Sequence, residues 1–154
     1  MKKGKREHHP QAYRPRPPFK IIEGVGTELF RRLSPWAVWT LARFYDKFTG
    51  KNRANLSLTY KEVKDTMSSV VFIRSIWELV GFGFLDILRF GRLERNASLY
   101  ALSDRWRSLD DPEKCEKIKS ILEEIRELQR KRAVSYKRAQ LNALRDRLLG
   151  RQHA

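Results

Sequence analysis

The chain has 154 residues, 33 of them Lys or Arg and 18 Asp or Glu, for a formal net charge of +15. Its 41% hydrophobic and 11% aromatic content can bury a core, and the length fits one domain with some extension, which excludes a globally disordered chain. No apolar run approaches the ~20 residues that span a bilayer, and the excess positive charge points to a polyanion, nucleic acid ahead of an anionic membrane.

Residues 1–18 hold four prolines and no apolar periodicity, so a disordered or polyproline-like basic arm is expected there. The folded domain is expected over 19–110. Apolar residues begin at Phe19, Ile21 and Ile22, and a short helix is predicted from its cap, Thr27, to Leu33. Ser34-Pro35 is a strong helix start, a capping hydroxyl followed by a residue whose φ is already helical. Val38, Leu41, Ala42, Tyr45 and Phe48 make the predicted apolar stripe of this helix, and Gly50 stops it. Leu56-Ser57-Leu58, after a polar loop, is long enough only for a small strand.

Thr59 and Glu62 form a capping box that opens a helix to about Met67. Another helix begins near Ser68 or Ser69. Phe72, Ile76, Leu79 and Val80 fall at i, i+4, i+7 and i+8 and form its buried face, with Gly81 and Gly83 as its end. Phe84–Phe90 and Ala97–Leu102, on either side of a basic loop, read as a β-hairpin. Between Glu113 and Leu149 there is no Pro or Gly. Ile118, Ile121, Leu122, Ile125 and Leu128 form a helical stripe that weakens among Arg130, Lys131 and Arg132 and partly returns at Leu141, Leu144 and Leu148. One long basic helix, or two with a soft joint, is therefore expected over 111–154. The fold class is mainly α with a small β-hairpin (α+β).

A helix, a small strand, a short helix, a turn, a second helix and a basic hairpin come in the order of a winged helix-turn-helix, here extended by the long C-terminal helix. Two short helices cannot bury their apolar faces alone, so the preceding helix and the hairpin close the core. One face of Ser69–Val80 stays outside, and a DNA major groove is wide enough to admit it. The segments LSPWAVWTLARFYDKFTGKN, LSLTYKEVKDTM, IWELVGFGFLDI and SLYALSDRW resemble winged helix-turn-helix proteins of prokaryotic plasmids, phages and integrated elements. That family holds regulators and replication-initiator-like proteins. The resemblance covers roughly residues 19–107 and implies DNA binding.

Candidate DNA contacts follow from this order. Ser68, Ser69, Val70, Ile73 and Arg74 lie at the start and on the outward face of the second helix, with Trp77 further along it. Arg74 alone offers a bidentate donor to guanine there, while Val70 and Ile73 reach at most thymine methyls. Trp77 is expected to pack against the hairpin or the C-terminal helix rather than on DNA. Arg89, Arg92 and Arg95 sit on or beside the hairpin loop, in reach of a minor groove or flanking phosphates. Arg14 and Arg16, in Arg14-Pro15-Arg16-Pro17, suit a narrow minor groove or serve as a nonspecific basic tail. The stripe Ile118, Ile121, Leu122, Ile125 and Leu128 either pairs two copies into a homodimer or docks back on its own domain.

An enzyme is not expected. His8, His9 and His153 all lie in the terminal arms, Cys115 has no histidine companion nearby, and neither a zinc-ligand spacing nor a phosphate-loop motif occurs. No cofactor, metal or small-molecule substrate is implied. The lone cysteine fits a reducing cytosol, and the basic N-terminus lacks the apolar core of a signal peptide, so a cytoplasmic protein is expected. The function read from the sequence is double-stranded DNA binding through a winged helix, as a transcriptional regulator or replication-associated factor. The alternatives are a protein-interaction winged helix of the primosome-accessory kind and RNA binding through the basic C-terminal helix.

Overall fold

The computed structural model describes residues 22–91, 97–130 and 135–150. Helix starts coincide with capping side chains. Thr27 accepts the Phe30 N–H at the head of α1 (Glu28–Arg32), and Ser34 accepts the Ala37 N–H at the head of α2 (Pro35–Lys47). Thr59 and Glu62 close the capping box of α3 (Tyr60–Val63), and Ser68 caps α4 (Ser69–Gly81) through the Val71 N–H. Strands β1 (Leu85–Arg89) and β2 (Leu99–Leu102) pair antiparallel, with a bulge between Ile87 and Arg89. One turn of helix, α5 (Trp106–Leu109), leads into α6 (Pro112–Arg130) and α7 (Ser135–Leu148). The chain is thus mainly helical with a small two-stranded antiparallel sheet.

Several elements differ from the sequence expectation. Helix α3 ends at Val63 rather than Met67, because the Val63 carbonyl accepts both the Thr66 and Met67 N–H groups and curls the chain into a turn. In α2 the buried face is Ala37, Thr40, Leu41, Phe44 and Tyr45, whereas the expected Val38, Ala42 and Phe48 are only half-buried. Leu56 contributes a single bridge to Tyr100, exchanging both backbone hydrogen bonds at 2.8 and 3.0 Å, and so lies along the outer edge of β2. Gly81 is the last residue of α4 and not a stop beyond it.

Phe72, Ile76, Leu79 and Val80 of α4 are buried as expected, and they share one core with the buried face of α2 and the inward residues of the hairpin. Phe44 meets the ring of Tyr100 edge-on at 5.2 Å, joining α2 to β2. The core continues into the C-terminal helices. Gly81 has no side chain, and a Cβ there would stand 3.3 Å from both Ile118 of α6 and Leu148 of α7. Glu124 pairs with Arg147 at 3.9 Å, so α7 runs back along α6.

Of the two destinations left open for the α6 stripe, the structure has the docking on its own domain. Ile118, Leu122 and Ile125 are buried within the single chain, and Ile121 and Leu128 are half-buried against the same core. The apolar stripe is used in cis, and a homodimer through it would have to uncover the protein's own interior. Among the described residues no helix is long and apolar enough to cross a membrane.

Candidate nucleic-acid interface

Three anchors hold α4 and the hairpin in place. The first lies at the start of α3: Lys47 at the end of α2 donates to the Ser57 carbonyl at 2.6 Å and pairs with Glu62, whose carboxylate also accepts the Thr59 N–H at 2.8 Å. With Lys47 and the Thr59 cap favouring its charged form, the Glu62 carboxyl is lowered from 4.5 to about 2.

The second anchor is Glu78, buried near the end of α4. It accepts the Ser34 N–H and the Ser34 hydroxyl, and Arg126 of α6 stands 3.9 Å away. The third is Arg105, which donates to Asp86 at 2.7 Å and to the carbonyls of Val80 and Leu85 at 2.8 and 3.2 Å. One guanidinium therefore ties the end of α4 to the start of β1, across a corner where Gly83 takes φ +79°. A carboxylate placed among Ile76, Trp77, Leu79 and Val80 is a legible signal for a buried, partnered acid. Nothing in the local sequence marks Arg105.

These anchors fix which part of α4 faces outward. Ser68, Ser69, Val70 and Ile73 are exposed, and Arg74 is half-buried with no ion pair to a described residue. Its Nε is shielded and has no hydrogen-bond partner among the described residues. Trp77 does not belong to this face. It is 4% exposed, with Phe90 packed on it at 6.0 Å and the Arg145 guanidinium 4.7 Å from its ring centre. Ile73, Trp77, Ile87, Phe90, Tyr100 and Arg145 line a recess of about 170 Å³ between α4, the hairpin and α7.

The predicted contacts are thus brought together in part. Ser68, Ser69, Val70, Ile73 and Arg74 occupy one end of α4, and Arg89 is exposed at the end of β1, directly before Phe90. Arg92 and Arg95 of the hairpin loop, and Arg14 and Arg16 of the arm, lie outside the described residues. Two further cations, Lys61 and Lys64 at α3, are exposed and have no ion pair to a described residue. Arg53, Arg105 and Arg107, by contrast, are committed to Glu23, Asp86 and Asp104. The α3 lysines were legible as charges in the sequence, but their lack of an ion pair among the described residues was not, because Asp65 stands four residues after Lys61 and reads as its helical partner. In the structure no ion pair joins Lys61 to Asp65.

Comparison of the chain with protein-family models, with curated proteins and with solved structures found no match.

Proposed function

We propose that this chain is a double-stranded DNA-binding protein of the winged-helix kind, acting as a transcriptional regulator or replication-associated factor. The observation that carries the reading is the outward end of α4, where Ser69, Val70 and Ile73 are exposed and Arg74 has no acidic partner among the described residues. A helix held by its buried far end, with an exposed face at its near end, is shaped to enter a major groove. Support also comes from the bridge between Leu56 and Tyr100, which sets a third short segment beside the hairpin in the order a winged helix requires. Lys61, Lys64 and Arg89 supply charge on the flanking elements, and residues 1–20, with seven basic groups against one acidic, add more.

In this reading phosphate contacts position the protein and only a few side chains meet base edges. Fluorescence anisotropy of the full chain with a random-sequence duplex in graded salt tests it. If about six phosphates are neutralised, affinity falls ~10³-fold between 50 and 200 mM salt through counterion release. Weak binding with no salt slope overturns the proposal and leaves the exposed apolar residues of α4 as a protein-docking face.

A further inference from the structure

Val70 and Ile73 are 51% and 44% exposed on a helix whose other large apolar residues are buried or half-buried. They stand at i and i+3, so they are neighbours on one face, with Cβ atoms about 5–6 Å apart. Both are β-branched, which fixes their χ1 in a helix and gives them a defined array of methyl groups. Ile73 stands at the rim of the recess between α4, the hairpin and α7, and both residues keep about half of their surface open to solvent. The polar groups nearest in sequence are the Ser69 hydroxyl and the Arg74 guanidinium.

We propose that Val70 and Ile73 recognise the C5-methyl groups of neighbouring pyrimidines, so that the preferred duplex presents adjacent thymines in the major groove. The inference rests on the DNA-binding reading above and gives it a substrate class. Neither side chain can hydrogen-bond, so the base feature within their chemistry is the one apolar group of the major groove, the thymine methyl. Neighbouring bases rise about 3.4 Å along a strand, and helical rotation separates their methyls further, a spacing comparable with that of the two side chains. Charge complementarity selects DNA over an apolar protein partner: Lys61, Lys64, Arg74 and Arg89, on α3, α4 and β1, have no ion pair to a described residue. They are suited to the phosphates that flank such a step.

The test compares the full chain on an all-A·T duplex with the same duplex carrying deoxyuridine for thymine, which removes methyls and leaves every hydrogen-bonding group in place. Each contacted methyl should be worth about fourfold in affinity, so two give a loss of roughly tenfold or more. A G·C duplex carrying 5-methylcytosine should bind more tightly than its unmethylated form for the same reason. In a Val70→Ala, Ile73→Ala double variant the thymine-to-uracil ratio should fall close to one while the salt slope is kept, which separates contact with the methyl from its effect on duplex stiffness. Val70→Thr, close in shape, should lower the ratio partway. Salt-steep binding with equal affinity for thymine and uracil duplexes overturns the methyl recognition and leaves DNA binding standing. Loss of salt-dependent duplex binding altogether overturns both.

Discussion

The Glu78 carboxylate lies 2.8 Å from the Ser34 hydroxyl and accepts that O–H together with the Ser34 backbone N–H. Ser34 is the cap of α2, so a buried negative charge on α4 sits at the positive end of α2's dipole and locks the two helices in register. Glu78→Gln keeps the shape but turns an NH₂ donor toward groups that are themselves donors. It should destabilise the fold by about 2–3 kcal/mol in urea titration. A change below about 0.5 kcal/mol would mean that water, and not Glu78, satisfies the α2 cap.

Arg74 tests how α4 meets its partner. Arg74→Ala should weaken duplex binding by about 1–3 kcal/mol and relax the preference at one base position if its guanidinium reads guanine. A uniform loss across all sequences in a selection from random duplexes would assign Arg74 to phosphate.

Gly83 and Gly50 both have positive φ, +79° and +89°, but a Cβ at Gly83 would lie 2.6 Å from the Trp106 nitrogen, whereas one at Gly50 meets nothing within 4 Å. Gly50→Ala should therefore cost only the backbone term, about 1–2 kcal/mol. Gly83→Ala should cost at least about 1 kcal/mol more, since Trp106 and Arg105 must shift and loosen the corner that sets the hairpin. Equal losses of melting temperature in the two variants would rule out the steric part.

The lowered Glu62 carboxyl makes a pH prediction. Its folded value, about 2, lies below its unfolded value near 4.5, so its stabilising contribution is complete above pH 4.5 and is lost as pH falls toward 2. The side chain is 37% exposed, and solvent screening limits this contribution to about 1 kcal/mol or less. Wild type and Glu62→Gln should thus differ at pH 6 and converge near pH 2 in chemical denaturation. A gap that is unchanged at pH 2 would place the effect of the substitution elsewhere.

Ile125 decides between use of the α6 stripe in cis and in trans. At 2% exposed within one chain, Ile125→Ala should cost about 2–5 kcal/mol. The melting temperature of both proteins should be independent of protein concentration, because no dimer dissociates on unfolding. A melting temperature that rises with concentration would restore the dimer.

Helix starts were readable from the sequence because a cap is local: Thr27, Ser34-Pro35, Thr59 with Glu62, and Ser68 each place an oxygen where the first free N–H groups need one. The buried face of α4 was readable because its apolar residues fall on one side. That of α2 was readable only in part: Leu41 and Tyr45 are buried as expected, but Trp36, Ala37, Val38 and Trp39 are four consecutive apolar residues and Thr40, a polar one, is fully buried. Periodicity cannot choose a face on a helix that is apolar nearly all round. The stripe of α6 was legible as a stripe, but its destination depends on the empty space above Gly81, which exists only once α4, α6 and α7 have met. On α4, Val70 and Ile73 are exposed and Trp77 packs against the hairpin and the C-terminal helix, as expected, but the particular partners, Phe90 and Arg145, come from distant parts of the chain and were not legible.

The seating of Leu148 over Gly81 has a consequence for biosynthesis. The apolar notch at Gly81, Ile118 and Leu122 is closed by a residue of α7, so it stays open until α7 has been made and has docked. Docking of α7 is therefore a non-local step that follows synthesis of the segments before it, and until it happens the notch is apolar surface that a chaperone can hold.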